Sequence, residues 1–210
     1  MAGLCHQRMA AAIGQGFREV AFPLATSIEN SREPNTRKQP DVLFYALAPN
    51  GQYAPTPCGI VEISDSQSLS SLLRRCNLFM QRSPTVNFAI GLKVWDHGPD
   101  RMICVVYGRD GNGQPAPLYG YSFGPHAEYL QRVTDDALQA AGFLPGTPGR
   151  WSGVESFDAV CSHPGMPRYA LPLDSSWFFG NPAAAAAAMA PPAFVLDLYS
   201  VQRAAHGFAF

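Results

Sequence analysis

Two carboxylates stand where the surrounding residues give them no ordinary structural task. Asp41 follows Pro40 at the head of the apolar run VLFYAL, and Glu62 sits inside the run CGIVEI. A carboxylate in a buried strand costs several kcal/mol unless it is paired, protonated or bound to a metal. The two acids lie 21 positions apart across a turn centred on Asn50-Gly51. They therefore fall at corresponding points of adjacent strands, where two carboxylates can converge on one divalent cation. Mg²⁺ is commonly held by one or two carboxylates with water and phosphate oxygens. A cation so placed activates water and neutralises charge on a phosphodiester. The alternative needs no metal: Asp41 caps a turn, and Glu62 pairs with an arginine or accepts from backbone amides.

Other reactive residue types point to less. Cys161-Ser-His163 is the one close Cys/His pair, and without a second pair it is half of a zinc site, which needs four ligands. His97, His126, His163 and His206 are scattered through loops and element ends, where surface or capping roles suffice. Ser64, Ser66 and Ser68 have neither a neighbouring histidine nor nucleophile-elbow glycines, which argues against a hydrolase triad. GRDGNGQ has glycines but no Lys-Ser/Thr after them and no strand-to-helix setting, so it is not a phosphate loop. Asp135-Asp136 reads as a solvated helix face.

The elements that must position the acids follow from periodicity. Leu69, Leu72, Leu73, Cys76, Phe79 and Met80 make one apolar helical face, and Ser66 or Ser68 caps its start. Val86, Phe88, Ile90, Leu92 and Val94 alternate with Asn87, Ala89, Gly91 and Lys93, which is strand periodicity. MICVVYG pairs with that strand, and PLYGYSF adds another. A helix is predicted over 7–20 from Met9, Ile13 and Phe17, an edge strand over VAFPLATSI, and a helix over HAEYLQRVTDDALQAAGF. FVLDLYSVQ closes the chain as a strand, and the Ala/Pro-rich segment 182–192 reads as an exposed turn or linker. This order predicts one α/β (α+β) domain over 1–210, a mixed central sheet flanked by the helices at about 7–20 and 67–82.

Composition bounds the partners. Of 210 residues 47% are hydrophobic, a globular balance, while 15% are charged and the net charge is -1. Global attraction to nucleic acid or membrane is therefore not expected, and any basic patch is local, such as Arg32, Arg37 and Lys38. No run of about 18 apolar residues spans a bilayer. Five cysteines without a CxxC pair, three within apolar runs, suggest reduced core thiols in an intracellular protein of cytoplasm or nucleus. The low charged fraction also admits a surface covered by a protein partner or in a homodimer.

The segments RKQPDVLFY, GIVEISDSQS, LLRRCNLFMQR and VNFAIGLKVW, in that order and spacing, resemble the restriction-endonuclease-like, or PD-(D/E)XK, superfamily. The similarity is to its single-domain endonuclease type. It covers roughly Met9 to Gly108, leaving 109–210 as a C-terminal elaboration whose LPLDSSWFFGNP and FVLDLYSVQ look like the tail of degenerate eukaryotic members. The resemblance implies a Mg²⁺- or Mn²⁺-dependent nuclease acting on DNA or RNA. Asp41 and Glu62 match its two metal-binding acids, and Glu19 is the candidate for an extra acid on the first helix. The motif's lysine, two residues after the second acid, is replaced by Ser64. Such a lysine positions the attacking water and stabilises developing charge. Substitutes are Lys93 on the polar face of the next strand and, on the helix, Arg74 or Arg75; an arginine stabilises charge but does not serve as a base. Gln67 is placed to orient water. The alternative reading is a catalytically inactive nuclease fold acting as a binding or scaffolding subunit.

Overall fold

The computed structural model describes residues 40–46, 52–95, 102–124, 151–152, 161–179 and 193–206. Six strands form one sheet in chain order: β1 (Val42–Phe44), β2 (Gly59–Ser64), β3 (Phe88–Val94), β4 (Met102–Arg109), β5 (Pro115–Phe123) and the two-residue β6 (Trp151–Ser152). The β1–β2, β3–β4 and β4–β5 pairs are antiparallel, whereas β2–β3 and β5–β6 are parallel. A parallel pair needs a crossover, and between β2 and β3 helix α1 (Leu69–Arg82) supplies it. The mixed α/β class predicted from the sequence is therefore present.

Both ends of α1 are secured by named groups. Ser68 is the N-cap, its hydroxyl accepting from the Ser71 N–H at 3.2 Å, which satisfies one of the amides that a helix start leaves unpaired. At the other end the Arg109 guanidinium, carried on β4, donates to the carbonyls of Met80, Ser83 and Val86. A cation there also complements the helix dipole. Leu69, Leu72, Leu73, Cys76 and Met80 are buried against the sheet, the face the periodicity predicts. Phe79 is only partly buried at the margin of that cluster.

The sheet's other face is covered by a ribbon of β7 (Ala170–Asp174) and β8 (Ala193–Asp197), paired antiparallel, with the short α2 (Ser176–Phe179) and α3 (Leu198–Ala205). Tyr169, Leu171, Leu173, Phe178, Phe194, Leu196 and Leu198 join Val42, Phe44, Phe88 and Ile90 in one apolar cluster. Here the predicted terminal strand needs correction. FVLDLYSVQ is a strand only to Asp197, whose carboxylate accepts from the Tyr199 N–H at 3.0 Å and starts α3. An N-capping aspartate satisfies the new helix's first amides, and Leu198, Val201 and Ala205 then follow helical spacing into the core. The predicted helices over 7–20 and 126–143, the edge strand VAFPLATSI, the basic loop 29–39 and the segment 182–192 lie outside the described residues. Cys58, Cys76, Cys104 and Cys161 are buried free thiols, and burial pushes Cys58 up to about 12. Among the described residues no helix is long and apolar enough to cross a membrane.

Candidate active site

Alternation along the strands decides which side chains meet α1. On β2, Val61 and Ile63 belong to the ribbon-side cluster while Ile60 packs under α1, so Glu62 and Ser64 face α1 with Ile60. On β3, Phe88, Ile90, Leu92 and Val94 face the ribbon, which leaves Ala89, Gly91 and Lys93 on the α1 side. The parallel register sets Glu62 beside Gly91 and Ser64 beside Lys93. On β1, Val42 pairs with Val61, and one further step of that antiparallel register puts Asp41 opposite Glu62. The two acids and the lysine proposed from sequence are thus carried to one end of three successive strands.

Gly91 keeps this part of the sheet close to the helix. A Cβ there would stand 3.3 Å from Cys76 Sγ and 3.5 Å from both Leu72 Cγ and Leu73 Cδ2. With only hydrogen at that position α1 can lie directly over β3, and its flank reaches Glu62 on β2.

What offsets the burial of Glu62 is Arg75. The carboxylate is 0% exposed, and Arg75 Nη2 donates to Oε1 at 3.2 Å and lies 3.0 Å from Oε2. Arg74, its neighbour in sequence, is exposed instead. Asp41 Oδ2 accepts from the Ile63 N–H at 2.7 Å, so its carboxylate continues the β1–β2 ladder past the end of β1. The metal-free alternative raised from sequence describes the Glu62–Arg75 pair, whereas Asp41, expected there to cap a turn, accepts instead from an amide of the adjacent strand. The charge on Glu62 reaches further: burial first, and then this carboxylate, push the Cys76 thiol well above its ordinary range.

Lys93 is 5% exposed. Its Nζ donates to the Asp65 carbonyl and lies 5.3 Å from the centroid of the Trp95 ring, a cation–π distance. Ser64, standing where the resemblance expects lysine, builds the turn into α1: its hydroxyl accepts from the Gln67 N–H at 3.1 Å and donates to the Gln67 carbonyl at 3.4 Å. Gln67 thus enters this region through its backbone. Glu19 lies outside the described residues. Cys161 and His163 do not share a site, since Cys161 is buried and His163 is exposed with its Nδ1 3.2 Å from Ser162 Oγ.

Asp41 and Glu62 offer hard oxygen donors from adjacent strands, a donor set that suits Mg²⁺ or Mn²⁺. A cation at Glu62 would take over the charge compensation that Arg75 now provides. Among the described residues no group of three or more His, Cys, Asp or Glu side chains is assembled for a metal. The sequence alone could not say which arginine meets Glu62; the available signal is that Arg75 adjoins the buried Cys76, whereas Arg74 falls on the outer face. Comparisons with protein-family models, curated proteins and solved structures find no match to this chain.

Proposed function

We propose that this protein is a divalent-metal-dependent nuclease of restriction-endonuclease-like type whose lysine is supplied by the neighbouring strand. The observation that supports this reading is the parallel register of β2 and β3, in which Lys93 stands beside Ser64 on the face that carries Glu62. A lysine delivered sideways in this way would occupy the neighbourhood that the motif lysine fills from two residues after the second acid. In this reading Asp41 and Glu62 would hold Mg²⁺ or Mn²⁺. The metal would supply activated water and neutralise charge on a phosphodiester. The Lys93 ammonium would stabilise negative charge developing on the phosphoryl oxygens. The substrate class is nucleic acid, DNA or RNA.

One observation favours a second reading, a nuclease fold retained without catalysis as a binding or scaffolding subunit. Glu62 already has a positive partner in Arg75 and is fully buried. Cleavage assays separate the two. Purified protein in about 10 mM Mn²⁺, far above useful site affinities, is incubated with single-stranded DNA, double-stranded DNA and RNA. The nuclease reading expects cleavage of at least one substrate, reduced about 100-fold or more in both Asp41→Asn and Lys93→Met, the scale for removing one preorganised electrostatic contact. Folded wild type that cleaves none of them supports the second reading. Cleavage untouched by Asp41→Asn would place the activity elsewhere.

A further inference from the structure

We propose that Arg75 is the placeholder for the cation: it neutralises Glu62 in the metal-free protein and leaves the carboxylate when metal binds. This rests on the metal-binding reading of Asp41 and Glu62. Three observations carry it. Both Glu62 oxygens lie within 3.2 Å of the same Arg75 nitrogen, so the guanidinium covers the carboxylate edge through which a metal would be held. Glu62 itself is 0% exposed and cannot move to meet an ion elsewhere, while the Arg75 side chain is 23% exposed and has a route to solvent. Arg75 also lies on the flank of α1, outside the buried stripe of Leu69, Leu72, Leu73, Cys76 and Met80 that packs the helix on the sheet.

Two cations competing for one buried carboxylate repel each other strongly where the dielectric is low. Metal entry therefore requires the arginine to withdraw, and the affinity measured for the metal is lower than the carboxylates alone would give. The device has a second effect. A buried acid is never left uncompensated, because either arginine or metal is always present, and the protein stays folded when metal is scarce.

The test measures metal directly, not catalysis. Mn²⁺ is titrated into wild type, Arg75→Met and Arg75→Lys, and the free ion is followed by electron paramagnetic resonance. Arg75→Met keeps most of the aliphatic stem and removes the charge. It is expected to bind Mn²⁺ about tenfold or more tightly than wild type, a change of roughly 1.4 kcal/mol. Arg75→Lys, a shorter point charge with weaker hold on the carboxylate, is expected between the two. Adding Asp41→Asn should abolish binding in every background. Equal Kd in wild type and Arg75→Met, or weaker binding in the variant, overturns the placeholder role while leaving the metal site standing. Should Arg75→Met fail to fold, an unchanged Kd in Arg75→Lys overturns it equally. No Mn²⁺ binding in any of the three removes the metal site, and the proposal with it.

Discussion

The two faces of the central sheet are built from the same strands and differ in kind. On β3 the ribbon face carries Phe88, Ile90, Leu92 and Val94, and the α1 face carries Ala89, Gly91 and Lys93. On β2 the ribbon face carries Val61 and Ile63, and the α1 face carries Ile60, Glu62 and Ser64. The ribbon face is one continuous apolar cluster, in which Phe44, Phe88, Trp177, Phe178 and Phe194 pack with ring centroids 4.9 to 6.1 Å apart. The α1 face is apolar over its greater part but turns polar where β2 ends. The larger of the two buried apolar clusters lies on the first face. On the second, the fold keeps a compensated charge where an apolar pair would serve at least as well, and buried ion pairs are weak stabilisers. The difference teaches where to look for function: at the end of β2, under α1.

Substitutions can break this contrast in order of size. Phe88→Ala should have the largest effect. Phe88 is fully buried, stacks on Trp177 at 5.6 Å, and fills the space over Gly59, where a Cβ would stand 2.1 Å from its ring. Loss of a buried phenyl costs about 3–5 kcal/mol. For a domain of this size that lowers Tm by roughly 10 °C, as checked by thermal and urea unfolding. A loss below about 1 kcal/mol would mean that the ribbon face is not the principal source of stability.

Next in size is Arg75→Leu, which leaves Glu62 buried without its cation and should cost about 3 kcal/mol. Adding Glu62→Leu should restore stability to within about 1 kcal/mol of wild type or beyond it, because an apolar pair replaces an ion pair. Any metal-dependent activity should be absent from the double variant. A double variant as unstable as the single one would show that Arg75 acts through packing and not through charge. The smallest effect is expected from Ser68→Ala, which removes the N-cap of α1 at a cost of about 1 kcal/mol in urea unfolding. It sharpens the contrast by measuring how firmly α1 is held over the site.

Much of the scaffold was legible in the residues. Alternation specified β3 from Phe88 to Val94; Val86, expected on the same face, lies instead in the α1-side cluster and donates its N–H to the Ser83 carbonyl in the turn after α1. The stripe from Leu69 to Met80 specified α1 with its buried face, while the choice between Ser66 and Ser68 as cap stayed open and falls to Ser68. Glu62 stood out because an acid in an apolar run has a physical cost that must be met. Three things were not legible. The terminal segment turns helical at Asp197 since a capping side chain outweighs the alternating pattern before it, and alternation over a few residues does not show where a strand ends. The ribbon over the first face depends on contacts of residues 161–179 and 193–206 with the strands β1 to β5, which no local pattern encodes. The placement of Lys93 beside Ser64, and not one strand position away, is a matter of register between parallel strands joined by a helix. A shift of one residue would have sent Lys93 to the apolar face.

The central claim is that Asp41 and Glu62 together hold a divalent cation, and the melting temperature in metal tests it most directly. Binding to the folded state alone stabilises it by about 2.7 kcal/mol when metal is at a hundredfold excess over Kd. At roughly 2–4 °C per kcal/mol, wild type should melt several degrees higher in Mn²⁺ than in chelator. Asp41→Asn, which keeps the side chain's shape and removes its charge, should show no such shift. A wild-type Tm unmoved up to about 10 mM Mn²⁺, or a shift that persists undiminished in Asp41→Asn, would contradict the two-acid site.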